Sequence, residues 1–347
     1  MTSPSDRYVR RWLVASALAV VLAIVIGGIT RLTDSGLSIT EWRPVSGIFP
    51  PRTATAWEEA YQRFQQIPQA QSTHRGISMT GFQRIYWWEW IHRMLARLVG
   101  LVLAVPYVLL LLRGHIRRKH RRRLLWLPLL AATQGGLGWW MVSSGLADRT
   151  SVSPIRLTVH LGVALVILIL CVWTALALSP PQDEPPPGGE LRTLRRVVGA
   201  AAALVFLTLL SGGLVAGLDA GLVYNTFPAM GPGVIPVEYG YVTSWWPAAL
   251  GNPVIVQFHH RLLGVTAGLT LLVLAAWSQL LPAPPAVRRA ALATGLAALL
   301  QIGLGIATLV LRVPVTLAVL HQLTGVTVLI GAVWTLQRIT RIEAKGR

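Results

Sequence analysis

The chain has 347 residues, 53% of them hydrophobic, with 31 Lys and Arg against 13 Asp and Glu, a formal net charge of +18. Its apolar stretches are long enough to cross a bilayer, and the positive excess lies in short loops between them, where it sets topology and meets anionic lipid rather than nucleic acid. The one cysteine, Cys171, lies inside an apolar stretch, which excludes an intramolecular disulfide and any Cys-x-x-Cys metal motif.

Taken in chain order, the spacing predicts an all-α integral membrane protein of eight transmembrane helices, at roughly 12–30, 86–112, 124–143, 155–178, 196–217, 254–281, 289–311 and 315–337. Arg7, Arg10 and Arg11 precede the first apolar run. That run is too long for a signal-peptide core and lacks a clear small-residue cleavage site, so a retained helix is expected. The connection 31–85 mixes charges of both signs and is long enough to form a small external cap. Basic residues crowd the loop near 113–123, the approach to span five (Arg192, Arg195, Arg196), the approach to span seven (Arg288, Arg289) and the C-terminus. All fall on the side of the N-terminus, which the positive-inside rule makes cytoplasmic. The opposite loop, 218–253, has no Lys or Arg. The proline-rich segment 179–195 reads as a cytoplasmic linker between an N-terminal unit, 1–178, and a C-terminal unit, 196–347.

The two units repeat. Gly27-Gly28 answers Gly212-Gly213, and Asp34-Ser35-Gly36-Leu37 answers Asp219-Ala220-Gly221-Leu222. His92-Arg93 answers His260-Arg261, and Gln134 through Gly138 answers Gln301 through Gly305. His160 answers His321. With four spans each, the units form a parallel repeat, and two four-helix bundles are expected.

His92, His160, His260 and His321 lie on spans two, four, six and eight, which all run inward. Each sits on the order of 8–10 Å below the outer edge of the hydrocarbon, at 1.5 Å per residue. Paired, repeated and depth-matched histidines point to metal ligands, one pair per bundle, suited to a haem iron. A lone intramembrane histidine bonded to a neighbouring helix is the blander reading. His259 has no counterpart, since Ile91 takes its place, and His74, His115 and His120 are expected to be solvated in loops. Arg93 and Arg261 follow two of the candidate ligands; they either bind haem propionates or snorkel to headgroups. The repeated Gly-rich turns admit the close approach of a flat macrocycle or of another helix.

Glu89 lies one turn outward of His92 on the same helix face. It suits a general base or a stabiliser of positive charge at a porphyrin edge; an ion pair with Arg93 or Arg84 is the alternative. Gln257 stands in its place in the second unit, keeping size and hydrogen bonding but unable to take a proton near neutral pH.

Glu-x-x-His-Arg, the Asp-x-Gly turn after span one and the repeated four-helix halves resemble the heme A synthase family over roughly residues 10–340. The resemblance implies an oxidoreductase that converts the C8 methyl of heme o to the formyl of heme A by successive, water-dependent hydroxylations, for use in cytochrome oxidase. It implies that His92 and His160 face heme o with Glu89 as the catalytic carboxylate, and that His260 and His321 ligate a resident heme b. The absence of a cysteine pair in the outer loop resembles the proteobacterial and mitochondrial branch. The partners implied are heme o, the heme o-producing prenyltransferase, cytochrome oxidase assembly factors and membrane lipid, with no nucleic acid; a homo-oligomer is compatible with the sequence. The location implied is a bacterial inner membrane, with both termini cytoplasmic and the haem sites toward the periplasm. A diheme b-type cytochrome in quinol electron transfer is the alternative that uses the same four ligands.

Overall fold

A computed structural model describes residues 4–43, 46–179 and 189–345. Among them the regular elements are helical: α1 (Pro4–Leu32), α2 (Ala54–Gln65), α3 (Pro68–Gln71), α4 (Met79–Leu112), α5 (Arg118–Ser143), α6 (Pro154–Ala177), α7 (Gly189–Gly217), α8 (Trp245–Gly251), α9 (Pro253–Leu280), α10 (Pro285–Val310) and α11 (Val315–Lys345), with three short 3-10 turns. Several starts are written into the sequence. Ser78 accepts from the Gly81 N–H to cap α4, Asn252 accepts from Val254 and Ile255 to cap α9, and Pro154, Pro253 and Pro285 open α6, α9 and α10.

Seven helices among the described residues are long and apolar enough to cross a membrane: α1, α4, α6, α7, α9, α10 and α11. The eighth expected span is α5, which matches α10 in length at 26 residues but not in apolarity. Its first turns carry Arg118, Lys119, Arg121, Arg122 and Arg123, and its outer half holds Gln134, Gly135, Gly136 and Gly138. The helices also run beyond the apolar windows read from sequence. α1 begins at Pro4 rather than near residue 12, and α4 at Met79 rather than 86, because hydropathy marks the part of a helix that meets hydrocarbon and not the part that is hydrogen-bonded. Of the expected linker, residues 180–188 lie outside the described residues, and α7 already begins at Gly189.

Large apolar side chains stay exposed along the outward faces: Leu98, Leu101 and Val105 on α4, Leu292, Leu296 and Leu299 on α10. Such stripes belong against acyl chains. Inward, α1 and α5 each pack on α4 and α6, and α7 and α10 each pack on α9 and α11. The two sets meet where α1 and α6 contact α7 and α11. Leu13, Leu165, Leu168, Leu194, Val287 and Val326 belong to one continuous core shared by both sets. Cys171 is fully buried within it.

The connection after α1 forms a cap with its own core. Leu37, Phe64 and Phe82 are almost completely buried, with Ala60, Ile67 and Tyr86 around them. His74, expected to be solvated, instead has Nε2 3.0 Å from the Asp34 carbonyl and helps hold the cap. His115 has Nδ1 3.1 Å from the Ser5 hydroxyl.

Candidate functional site

Each candidate histidine packs its ring on a glycine of a neighbouring helix. A Cβ added at Gly27 of α1 would lie 2.8 Å from His92 Cε1, and one at Gly138 of α5 would lie 3.2 Å from His160 Cε1. The second half repeats the arrangement: Gly212 of α7 at 3.3 Å from His260 Cε1, and Gly305 of α10 at 2.8 Å from His321 Cε1. In three cases the backbone one turn earlier lies alongside the ring, at Ala23, Thr208 and Gln301. Each imidazole therefore lies in the groove of a helix whose glycine leaves room for it. All four histidines remain only partly buried.

In the second half the His260 and His321 ring centroids are 6.4 Å apart and perpendicular. Two imidazoles on opposite sides of one metal, each bonded through nitrogen at about 2.0–2.1 Å, have centroids roughly 6.3 Å apart, so these rings fit that spacing. Nδ1 of His260 is 2.7 Å from the Ser211 hydroxyl, an outer partner of the kind that orients ligating imidazoles. Nδ1 of His92, His160 and His321 is buried without completing a hydrogen bond. Nε2 of His321 lies 3.4 Å from the Gln301 amide, whereas Gln134 donates to the His160 carbonyl at 2.9 Å. Histidine-bearing α4 and α6 face each other diagonally across the first helix set, as α9 and α11 do across the second. Among the described residues no cluster of three or more His, Cys, Asp or Glu could hold a bare metal ion. The donor set is two imidazoles per half, which suits an iron already held by a macrocycle. His259 does not join the pair; its Nε2 is 3.3 Å from the Tyr239 hydroxyl and its ring stacks beside Trp245.

Glu89 is 2% exposed, and both of its oxygens are occupied. Oε2 accepts from the Ser38 hydroxyl at 2.7 Å and the Ile39 N–H at 2.8 Å. Oε1 accepts from Arg93 Nε at 3.0 Å and Nη2 at 2.6 Å. The partner is thus Arg93, one helical turn on, and not Arg84. Arg93 also donates to the carbonyls of Glu41 at 2.9 Å and Ile39 at 2.6 Å. With Trp90 on the Ile48 carbonyl and Arg97 on the Arg43 carbonyl, α4 fastens the strap that closes over its outer end.

The second half shows the same fastening with a neutral residue. Arg261 donates to the carbonyls of Tyr224 at 2.7 Å and Thr226 at 2.8 Å. Tyr224 and Thr226 follow Asp219 as Ile39 and Glu41 follow Asp34, and both aspartates have left-handed backbone, at φ 51° and 50°. Gln257 donates to the Tyr224 carbonyl at 3.0 Å, and its Oε1 is buried without a partner. Both arginines thus bind backbone carbonyls of the overlying strap, a role that reading them as propionate ligands or snorkelling groups missed. Arg31 ties the two turns together, with Nη1 3.0 Å from Asp34 and Nη2 2.9 Å from Asp219.

Residues 10–333 match the COX15-CtaA family, described as cytochrome oxidase assembly protein. The chain is 40% identical to "Heme A synthase COX15" of Homo sapiens, over 97% of this chain and 84% of that protein. It is 42% identical to "Heme A synthase" of Brucella anthropi, over 94% of this chain and 90% of the relative, and equally to that of Bradyrhizobium sp. strain ORS 278, over 96% and 91%. The chain belongs to the heme A synthase family of cytochrome oxidase assembly proteins.

Proposed function

We propose that this protein makes heme A, oxidising the C8 methyl of heme o to a formyl by successive hydroxylations. One observation carries the reading: a buried carboxylate, Glu89, stands beside His92 in the first half, and a neutral amide, Gln257, stands at the matching place beside His260. The first half is therefore the substrate site, with heme o between His92 and His160. In the second half His260 and His321 would hold a resident heme b, which would supply a one-electron acceptor. The fold is then two parallel four-helix bundles, α5 being the eighth span, with the glycine cradles aiming each pair of imidazoles at its bundle centre.

Glu89 is the group that takes a proton or balances positive charge as the methyl is oxidised. Its four donors hold it in one orientation, and the Ser38 hydroxyl is the one donor that can rotate away without breaking an ion pair. Arg93 anchors both the carboxylate and the strap with four of its five N–H donors, which leaves one Nη1 N–H for a propionate. If both imidazoles of a pair held the iron, oxidation through the macrocycle with water adding at the methyl carbon would fit the ligand set better than oxygen bound at iron. The basic loops support an orientation with both termini in the cytoplasm of a bacterial inner membrane and the sites toward the periplasm. The upstream prenyltransferase and oxidase assembly factors are the partners that supply heme o and receive heme A.

The test is expression in a host that makes heme o but not heme A, followed by chromatography of extracted haems. Native protein should yield heme A, and Glu89→Gln should accumulate heme o or its alcohol. Normal heme A yield from Glu89→Gln would remove Glu89 from the mechanism.

A further inference from the structure

Gln322 follows His321 on α11 and reaches out of its own half. Its Nε2 donates to the Ile24 carbonyl of α1 at 3.0 Å, and a Cβ on Gly28 would overlap its Oε1. The amide thus lies flat across the 24–28 turn of α1. The same turn carries Gly27, on which the His92 ring packs. One turn of one helix therefore touches the residue beside His321 and also His92.

The matching contact between the halves lacks the amide. Leu161 follows His160 as Gln322 follows His321, and Leu161 packs on Gly213 with Thr158, as Gln322 packs on Gly28. A leucine is enough to pack that place. An amide in apolar surroundings costs free energy unless its hydrogen bonds are made, so its use on one side alone calls for a role beyond packing.

We propose that Gln322 is a positioning residue that sets the second histidine pair in register with the first, and that electrons cross between the two sites through His321, Gln322, the 24–28 turn and His92. This rests on the proposed assignment of the four histidines as haem ligands. Each crossing moves one electron: the substrate site is oxidised by one equivalent and the heme b iron passes from ferric to ferrous. No covalent bond is made or broken in that step.

The experiment uses purified, haem-loaded protein. Gln322→Met keeps the volume and removes the hydrogen bond, and Leu161→Met is the control at the matching position. Haem content, visible spectrum and melting temperature are recorded, and then electron redistribution between the haems after partial flash reduction. Gln322→Met should keep native haem content, low-spin spectrum and melting temperature, yet slow redistribution by roughly tenfold or more, because electron exchange depends on fixed geometry. Leu161→Met should redistribute at the native rate. Unslowed redistribution in Gln322→Met overturns this proposal alone. Loss of heme b with a lowered melting temperature also overturns it, by reducing Gln322 to a packing group. A native protein that binds no second haem overturns the ligand assignment itself.

Discussion

Ser38 donates its hydroxyl hydrogen to the buried carboxylate of Glu89 at 2.7 Å. The second half changes both members of the pair: Val223 follows Asp219 as Ser38 follows Asp34, and Gln257 replaces Glu89. Where the carboxylate is absent, so is the hydroxyl that orients it.

Ser38→Val, which copies the second half, should therefore lower the ratio of heme A to heme o in extracts while leaving haem content intact. A hydrogen bond to a charged group is worth about 1.5–3 kcal/mol, which sets the expected scale of the loss. Ser38→Thr keeps the hydroxyl and should restore most of the ratio. A native ratio in the valine variant would show that the Ile39 N–H and Arg93 hold Glu89 without help.

Arg93 and Arg261 make matching contacts to the straps above them, but only Arg93 faces a carboxylate. Arg93→Gln leaves Glu89 buried with fewer donors, at a cost on the order of 3–5 kcal/mol. Arg261→Gln removes donors to carbonyls alone, at about 1–3 kcal/mol. Melting temperature should fall further for Arg93→Gln, and adding Glu89→Gln to it should recover part of the loss. Equal falls for the two arginine variants, or simple additivity in the double variant, would mean that the ion pair contributes nothing beyond strap contacts.

Much of the site was legible because it is written in periodicity. Histidines at one depth, a repeated Gly-Gly and a Glu answered by a Gln are all properties of position along helices of known rise. Contacts that join a helix to a loop fifty residues away were not legible. Spacing offered Arg84 or Arg93 to Glu89, but nothing in it placed Ser38 and Ile39 on the carboxylate, since that depends on how the strap folds back over α4. Gln322 was overlooked for a related reason: its partner lies on α1, in the other half. Comparing Leu161 with Gln322 across the repeat was the signal that could have found it. The Gly-rich turns admit a flat macrocycle or another helix; Gly138 and Gly305 instead face the histidines, while a Cβ at Gly135, Gly136 or Gly303 would meet nothing within 4 Å. At α5 a helix stands where one was expected, but it begins at Arg118 rather than near 124, and its glycines, Gln134 and basic first turns dilute the apolar signal.

The four glycine cradles give a graded test of the ligand assignment. At Gly27 and Gly305 an added methyl would sit 2.8 Å from the imidazole Cε1, too close unless the ring moves; at Gly138 and Gly212 the gaps are 3.2 and 3.3 Å, which a few tenths of an ångström would relieve. Overpacking of this kind costs about 1–3 kcal/mol, and here it falls on the ring of a proposed ligand. Gly305→Ala should therefore lose much of the resident heme b, seen as a smaller low-spin absorption band per protein, while leaving the first site's haem in place. Gly27→Ala should do the reverse, lowering retained heme o and heme A while heme b stays at its native level. Gly138→Ala and Gly212→Ala should show the same two patterns more weakly. If haem loss did not sort by half in this way, or if the two wider cradles were the more sensitive, the histidines would not be holding the haems from the positions these helices give them.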